Sequence, residues 1–334
     1  MTSTSTERLP SQVVAFRDAR WKTRWLLVAL AFLLLWRSTG FVSREWLSQI
    51  PPWVWLVVMA LGFEAFLLLF PIITRNPRRR GTFRIPALKR CLIEFGIAVP
   101  VVIVTLILLA AVDHLVGRIW PGTSLTPDAV KKMATYPPSI FVYSMLLVSF
   151  TIAPVAEEVF FRGFLHNAFR VRMPWIIASV AQCLIFGFIH LYGLLHCCVL
   201  CFVGLVLTLL YEWRKTLVTP ILVHAGWNLL AALGVVLLMV DHANGPVLGV
   251  IGDEKDTACV IRDTVSGSPA EEAGLQAGDV ITAVEGVPIA DFQQLIETIG
   301  LYRPGDTVRV RIERDGLPYK AGVVLQRRGA LPVP

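Results

Sequence analysis

Charged residues are scarce in this chain. Only 16% of its 334 residues are Asp, Glu, Lys or Arg, whereas soluble globular domains carry about 25%. Hydrophobic residues make up 55%, so the composition excludes a wholly soluble protein. It also excludes a disordered chain, because such chains combine low hydrophobicity with high net charge. The polar stretch at residues 1–10 is the exception.

Several other signatures are missing. Five of the six cysteines lie in or beside apolar runs and only Cys259 lies in the acidic C-terminal part, so we expect no disulfide framework. The first apolar run starts at Trp25 and ends at Trp36 and Arg37 rather than at a small-residue cleavage site, which predicts a retained anchor. The basic residues flank apolar runs instead of forming a soluble patch. We therefore expect no nucleic-acid partner.

Long apolar runs, in contrast, are plentiful. A membrane-crossing helix needs about 20 mostly apolar residues, and the sequence predicts a polytopic α-helical membrane bundle of about seven spans. The first run is the weakest because Arg37 interrupts it. The runs lie at about 25–42, 51–74, 92–116, 139–157, 174–191, 192–211 and 217–240.

The short connections between these runs predict the orientation, because Lys and Arg accumulate on the cytoplasmic side. Alternate connections carry 17 such residues on one side and five on the other. We therefore expect a multi-pass protein of the cell (inner) membrane with a cytoplasmic N-terminus and an extracytoplasmic C-terminal part. The 17 lie in 1–24, 75–91, 158–173 and 212–216, and the five in 37–50 and 117–138.

The composition of the sequence changes after Val240. Residues 241–334 hold 9 Lys or Arg against 14 Asp or Glu, and Thr307–Glu313 alternates like a strand before the hairpin signal Asp315-Gly316. These features predict a small water-soluble α+β domain. The expected divisions are a leader at 1–24, N-terminal spans at 25–138, a membrane core at 139–240 and the soluble domain at 246–328.

Ionisable residues inside the later apolar runs are the candidate site, because such residues are costly in a membrane and are retained for function. The fourth run ends in Glu157-Glu158-Val-Phe-Phe-Arg162, the fifth in Phe186-Gly-Phe-Ile-His190, and the seventh opens with His224-Ala-Gly-Trp-Asn228. Glu158 and Arg162 are four residues apart, as are His224 and Asn228. Each pair therefore shares a helix face.

In order, these three segments resemble the EExxxR, FxxxH and HxxxN/B motifs of the CPBP (CAAX protease/bacteriocin-processing, Abi-type) intramembrane proteases. The resemblance covers about residues 139–235 and implies hydrolysis of a peptide bond by a glutamate-activated water, without a cofactor. It makes Glu157 the general base and His190 a holder of the water. His224 and Asn228 would stabilise the oxyanion, and Glu158 and Arg162 would support them.

Other interpretations remain open at this stage. His190, His196, His224 and the cysteines at 197, 198 and 201 are zinc-ligand types, although the H-E-x-x-H pattern of many metalloproteases is absent. Glu64, Glu94 and Asp113 fit a transporter, but structural or boundary roles suit them better. A non-catalytic membrane scaffold or immunity protein that binds a peptide is the third alternative.

The predicted depths of Glu157 and His190 in the membrane conflict with each other. His190 lies about 24 Å along a helix from Pro174, whereas Glu157 falls near the opposite end of its run. Three readings are open: the fourth run continues through Phe169 as a long or Pro154-broken helix, the fifth span starts below the surface, or the boundaries differ. Irregular backbone at membrane depth is tolerated around a cavity, so the conflict favours a water-filled site.

The C-terminal segment resembles a bacterial HtrA-like PDZ domain over about residues 246–328, through Leu248-Gly-Val-Ile-Gly252 and the stretch Gly267–Gly286. Such a domain binds an extended peptide as an added strand, so the implied partners are a peptide ligand here and a membrane-protein or membrane-tethered substrate at the intramembrane site. The expected peptide-binding residues are Leu248, Gly249, Val250, Ile251, Phe292, Leu295 and Ile299.

Overall fold

A computed structural model describes residues 23–38, 61–74, 87–126, 130–131, 139–190, 193–252 and 258–331. The predicted leader lies almost wholly outside the described residues, as do parts of the first two predicted spans. The chain divides into two compact units, with the boundary between Gly234 and Val235.

Apolar helices make up the first unit. Four of them, which begin at Leu88, Ile140, Leu194 and Val218, are long and apolar enough to cross a membrane, and three are shorter within the described residues. The predicted total of about seven spans is therefore not confirmed, although an apolar helix occurs at each of the seven runs. The helices are α1 Thr23–Ser38, α2 Gly62–Thr74, α3 Leu88–Ile119, α4 Ile140–Arg170, α5 Trp175–Ile189, α6 Leu194–Arg214 and α7 Val218–Asn244.

Helix α4 carries both glutamates of the first motif. Ser139 caps it by accepting a hydrogen bond from the Val142 amide, and it runs through Pro154 into a π-helical stretch at Val159–His166 before ending at Arg170. The predicted end at residue 157 is therefore too early, because the helix continues for more than three turns. Glu157 lies about 26 Å from the start of α4, which places it in the middle of the helix.

Aromatic side chains fill the core around the π-helical stretch. Phe160, Phe161 and Phe164 are fully buried, and Phe66 and Phe70 of α2 pack on them with ring centroids 5.5–6.4 Å apart. Edge-to-face and tilted ring pairs of this kind add to the stabilisation from burial. This ring packing holds α4 against α2.

The second unit is a small α+β domain. The elements are β1 Pro246–Val247, β2 Val250–Ile251, β3 Asp263–Thr264, α8 Pro269–Glu272, β4 Val280–Val284, β5 Val287–Pro288, α9 Phe292–Ile299, β6 Thr307–Arg314, β7 Leu317–Val324 and β8 Gln326–Arg327. The main sheet has the order β5-β4-β6-β7, and β6 alternates between exposed and buried residues as its sequence predicts. Gly316 has a positive φ in the β6–β7 hairpin.

All six cysteines are free thiols. Cys259 is fully enclosed in the core of the second unit, and burial raises the pKa of its thiol to about 12. Because the thiolate is the reactive form of cysteine, Cys259 serves as a small apolar core residue.

Gly249 offers a test of the loop before β2. Its φ of +84° suits glycine, and a Cβ atom there would lie 2.2 Å from the Cβ of Ser268. We expect Gly249→Ala to destabilise the second unit by more than 1 kcal/mol, because it adds a clash to backbone strain. Limited proteolysis of the full chain should show faster cleavage within 246–328. Gly322→Ala, which meets nothing within 4 Å, is the matched control, and equal protection of both variants would contradict the argument.

Candidate active site

Glu157 and Glu158 lie where the α-helical part of α4 passes into the π-helical stretch. Their side chains are almost completely withdrawn from solvent, with 7% of Glu157 and none of Glu158 exposed. Insertions of π-helix re-aim side chains and occur often at functional sites. Two buried carboxylates at consecutive positions of one helix require charge partners nearby.

Arg162 is the partner of Glu158. Its Nη1 donates to Glu158 Oε1 at 2.7 Å, and its Nη2 donates to the carbonyl oxygen of Gly204 in α6 at 2.8 Å. The guanidinium group is fully buried and lies 4.8 Å from the ring centroid of Phe186. Arg162 therefore links α4, α5 and α6 through one buried charge.

His224 of α7 joins the two glutamates. Its Nδ1 lies 2.9 Å from Glu158 Oε1, and its Nε2 lies 3.8 Å from Glu157 Oε2. Because a carboxylate only accepts hydrogen bonds, the close contact assigns the proton to Nδ1. The Nε2 atom then faces Glu157 and is free to take part in proton transfer.

His190 follows directly after α5 and approaches the same carboxylate. Its Nε2 lies 3.9 Å from Glu157 Oε2, and its Nδ1 donates to the carbonyl oxygen of Phe186 at 2.7 Å. Backbone carbonyl oxygens only accept, so Nδ1 carries the proton in this ring as well. Three atoms thus converge: Glu157 Oε2 and the Nε2 atoms of His190 and His224. The two distances to Glu157 Oε2 exceed direct hydrogen-bond length, and a water can connect polar groups at such a separation.

Asn228, one turn after His224, is engaged elsewhere. Its Nδ2 donates to the carbonyl oxygen of Ser149 in α4 at 2.7 Å. An amide nitrogen has two N–H groups, so this bond occupies one and leaves the other. The structure therefore groups Glu157, Glu158, Arg162, His190 and His224 closely and connects Asn228 to them through α4 and α7.

The remaining ionisable residues of the apolar runs have separate environments. Glu94 accepts two hydrogen bonds from Arg214, and Asp113 accepts one from the backbone amide of Leu125, as expected for structural roles. Glu64 of α2 is buried, its Oε2 has no hydrogen-bond partner among the described residues, and Glu157 is its electrostatic neighbour. Sequence reasoning did not place this third carboxylate beside the motif.

The His and Cys residues that the sequence offered as possible zinc ligands form no metal-binding group in the part of the chain that the structure describes. Among the described residues, no group of three or more His, Cys, Asp or Glu has an arrangement that could hold a metal ion. Cys197 and Cys201 lie against Gly187, where an added Cβ would meet the Cys201 sulfur at 2.6 Å and the Cys197 carbonyl oxygen at 2.7 Å. The absence of a side chain at Gly187 therefore allows α5 to pack closely against these cysteines of α6.

Two supporting residues were missed by sequence reasoning. The carbonyl oxygen of Gly204 accepts the hydrogen bond from Arg162. A Cβ atom at this position would lie 3.2 Å from the Phe186 ring and 3.4 Å from Arg162 Nη2. Ser149 contributes the carbonyl oxygen that holds Asn228. Both act through backbone carbonyls, for which a sequence gives no signal beyond the small residue at 204.

In the second unit, most of the expected peptide-binding side chains pack inward. Leu248, Phe292, Leu295 and Ile299 are each 7% exposed or less and belong to the core. Val250 packs partly against that core. The exposed apolar side chains of β2 and α9 are Ile251, at 39%, and Ile296, at 44%. Ile296 was not among the expected binding residues.

Gly249, the remaining predicted binding residue, brings the backbone before β2 close to Ser268. Strand β2 pairs with β3 on one edge, and no other described strand pairs with it. The domain therefore has a short strand edge open to an added strand, flanked by exposed apolar side chains.

Comparison with known proteins gives two family matches. Residues 139–230 match the type II CAAX prenyl endopeptidase Rce1-like family, and residues 233–325 match the PDZ domain family. These matches confirm both resemblances found in the sequence.

Individual relatives match over shorter shares of their length. A probable periplasmic serine endoprotease DegP-like of Rhizobium meliloti is 36% identical over 110 residues, which are 33% of this chain and 20% of that protein. The zinc metalloprotease RasP of Shouchella clausii is 40% identical over 65 residues, 20% of this chain and 15% of that protein. The chain thus spans a fifth or less of these relatives.

Among solved structures, the serine endoprotease from Yersinia pestis matches 29% of this chain and 35% of that chain at 23% identity, with a TM-score of 0.24.

The family matches carry the assignment. The chain contains a type II CAAX prenyl endopeptidase Rce1-like domain at residues 139–230, followed by a PDZ domain at residues 233–325.

Proposed function

We propose that this chain is a multi-pass membrane endopeptidase that hydrolyses a peptide bond of a membrane protein or membrane-tethered peptide through a glutamate-activated water. The observation that carries the proposal is the convergence of Glu157 Oε2 with the Nε2 atoms of His190 and His224 at 3.8–3.9 Å. The Rce1-like match over the same residues supports it.

The proposed chemistry starts with a water held between these three atoms. Its oxygen attacks the carbonyl carbon of the scissile bond while Glu157 Oε2 takes one proton. The C–N bond then breaks, and Glu157 returns that proton to the leaving nitrogen. Burial strengthens each of these electrostatic interactions, because fixed groups replace a water shell.

The oxyanion requires hydrogen-bond donors. His224 supplies one when its Nε2 is protonated, since its Nδ1–H is already donated to Glu158. The N–H of Asn228 that Ser149 leaves unused supplies the second. Loss of one such donor typically lowers the rate by 100- to 1,000-fold.

The PDZ domain would recruit or filter substrates by adding an extended peptide to the open edge of β2. The Lys and Arg counts favour a position outside the cytoplasm for this domain and a cytoplasmic N-terminus. The periplasmic designation of the DegP-like relative agrees with that side of the membrane.

His190→Ala tests the proposal while preserving the Glu158–Arg162 pair. We expect it to lower cleavage about 100-fold, because the water loses one of its positioning groups. Quantitative N-terminal peptide profiling of membranes would compare cells lacking the protein with cells complemented by wild type or variant. Neo-N-termini should appear with wild type and with the exposed-residue control His114→Ala. If no N-terminus depends on wild type and His190→Ala rescues a phenotype fully, the chain is a peptide-binding scaffold instead.

A metal-dependent version of the same hydrolysis is the second candidate, although the described residues contain no group of three or more His, Cys, Asp or Glu arranged to hold a metal ion. Both imidazoles direct Nε2 at Glu157 Oε2 while donating Nδ1–H to an oxygen, as metal-ligating histidines do. We expect cleavage by the purified protein to survive dialysis against a chelator, since the proposed base is a carboxylate. Stoichiometric zinc that leaves together with activity, and restores activity when added back, would replace the glutamate mechanism.

A further inference from the structure

A cavity of about 580 Å³ opens in the first unit between the start of α3 and the end of α6. Four cations line it: Lys89 and Arg90 in the first turn of α3, and Arg214 and Lys215 at the end of α6. The side chains of Ile93 and Trp213 add apolar surface. The cavity is separate from the Glu157 site and uses none of its residues.

The carboxylates near this cavity do not neutralise its charge. Glu94 is fully buried and accepts from Arg214 at 2.9 and 3.0 Å, with Arg90 at 3.8 Å. Glu212 pairs with Lys215 at 2.7 Å but is shared with Arg170. Lys89 forms no ion pair with any carboxylate of the described residues. The lining is therefore positively charged.

The position of the cavity along the helices points to the membrane surface. Helix α3 has 32 residues and is about 48 Å long, so its ends extend beyond a hydrocarbon layer of about 30 Å. Trp213 is 63% exposed at the end of α6, and tryptophan is enriched at the level of the lipid headgroups. Leu88 and Leu92 beside the cavity are 74% and 62% exposed, as suits residues that face acyl chains.

We propose that this cavity binds the phosphate of an anionic phospholipid. The cations of both helices hold the phosphate, Trp213 packs against the headgroup, and the exposed leucines of α3 contact the acyl chains. A soluble anion would gain the charge interaction alone, which is why the combined basic and apolar lining favours a lipid. The inference rests on the membrane location and not on proteolysis.

Lipid bound here would stabilise the helices that carry the candidate active site. Glu94 holds α3 to α6 through Arg214, and the hydroxyl of Thr219 in α7 donates to the same carboxylate. Helix α6 also supplies Gly204, and α7 supplies His224. A phosphate that bridges α3 and α6 would therefore reinforce an existing link.

The test uses the purified full-length chain in nanodiscs of phosphatidylcholine, with phosphatidylglycerol bearing brominated acyl chains added in steps. Bromine near a tryptophan quenches its fluorescence, so the difference between wild type and Trp213→Phe reports on this cavity. We expect saturable quenching of Trp213 at a mole fraction at least tenfold lower for phosphatidylglycerol than for brominated phosphatidylcholine. Each removed cation should weaken the preference about fivefold, as measured with Lys89→Gln and with Lys89→Gln/Arg90→Gln.

Lys320→Gln, an exposed lysine of the second unit, is the matched control and should keep the wild-type preference. Equal quenching by the two lipids, or an unchanged preference after Lys89→Gln/Arg90→Gln, would overturn the proposal. Competition by inorganic phosphate at concentrations similar to the lipid phosphate would show that the cavity is a soluble-anion site instead. Because none of these readouts is activity, the result is independent of whether the chain proves to be a protease.

Discussion

Glu157→Gln is expected to abolish cleavage while the protein remains folded. The amide has nearly the shape of the carboxylate but cannot accept the proton of an attacking water, and removal of a positioned general base costs about 100- to 10,000-fold. Glu157 Oε2 has no hydrogen-bond partner among the described residues, so the substitution removes no direct hydrogen bond of that oxygen. Single-turnover rates on a substrate identified by N-terminal profiling, together with thermal unfolding in detergent, measure the two effects separately.

Glu158→Gln is the informative comparison, because the two glutamates are neighbours with different partners. Glu158 Oε1 accepts from both Arg162 and His224, so its amide variant should lose stability as well as activity. Glu272→Gln, in an exposed carboxylate of the second unit, controls for the chemistry of the change. Wild-type cleavage by Glu157→Gln would remove this residue as the base, and equal unfolding temperatures of the two variants at positions 157 and 158 would contradict their division of roles.

The spacing of the motifs predicted much of the candidate active site. A separation of four residues predicts the shared face on which Glu158 and Arg162 meet, and the apolar runs predict that three helices carry the polar residues. Sequence alone could not predict that His224 contacts both glutamates, because that depends on how α4 and α7 pack against each other. No local pattern encodes such packing between helices.

The end of the fourth apolar run is a second feature that the sequence alone did not predict. Hydropathy ended the fourth run at residue 157 because Glu157, Glu158 and Arg162 follow one another closely. The structure continues the helix to Arg170, since Arg162 neutralises Glu158 and also donates to the carbonyl oxygen of Gly204. A hydropathy window counts charges one by one and does not include the pairing that makes them tolerable in a buried environment.

The second unit shows where periodicity works and where it does not. The strict alternation of Thr307–Glu313 predicted the strand correctly, because one face of that sheet packs on the core. In α9, the resemblance to PDZ domains implied Phe292, Leu295 and Ile299 as peptide-binding residues but did not tell the core face from the groove face. Leu295 is 3% exposed and Ile296 is 44% exposed, although both are apolar neighbours in sequence.

Arg162→Met is expected to lower the stability of the first unit by about 3–5 kcal/mol, because it leaves the fully buried Glu158 without its guanidinium partner. The side chain of methionine fills similar space beside Phe186 and Gly204 but offers no charge and no donor. Arg162→Lys keeps the charge and should be destabilised less, since one ammonium replaces a fork that reaches Glu158 and Gly204 together. Denaturant unfolding in detergent micelles of fixed composition measures the differences.

The double variant Glu158→Gln/Arg162→Met distinguishes a buried charge pair from simple packing. If the cost of Arg162→Met comes from the unpaired carboxylate, removal of that charge should recover a substantial part of it, so the double variant would be more stable than Arg162→Met alone. Its cleavage should nevertheless stay low, because His224 would lose the carboxylate that fixes its Nδ1 proton. If the two substitutions were additive instead, Arg162 would act as a space-filling residue, and the electrostatic account of the EExxxR motif in this chain would fail.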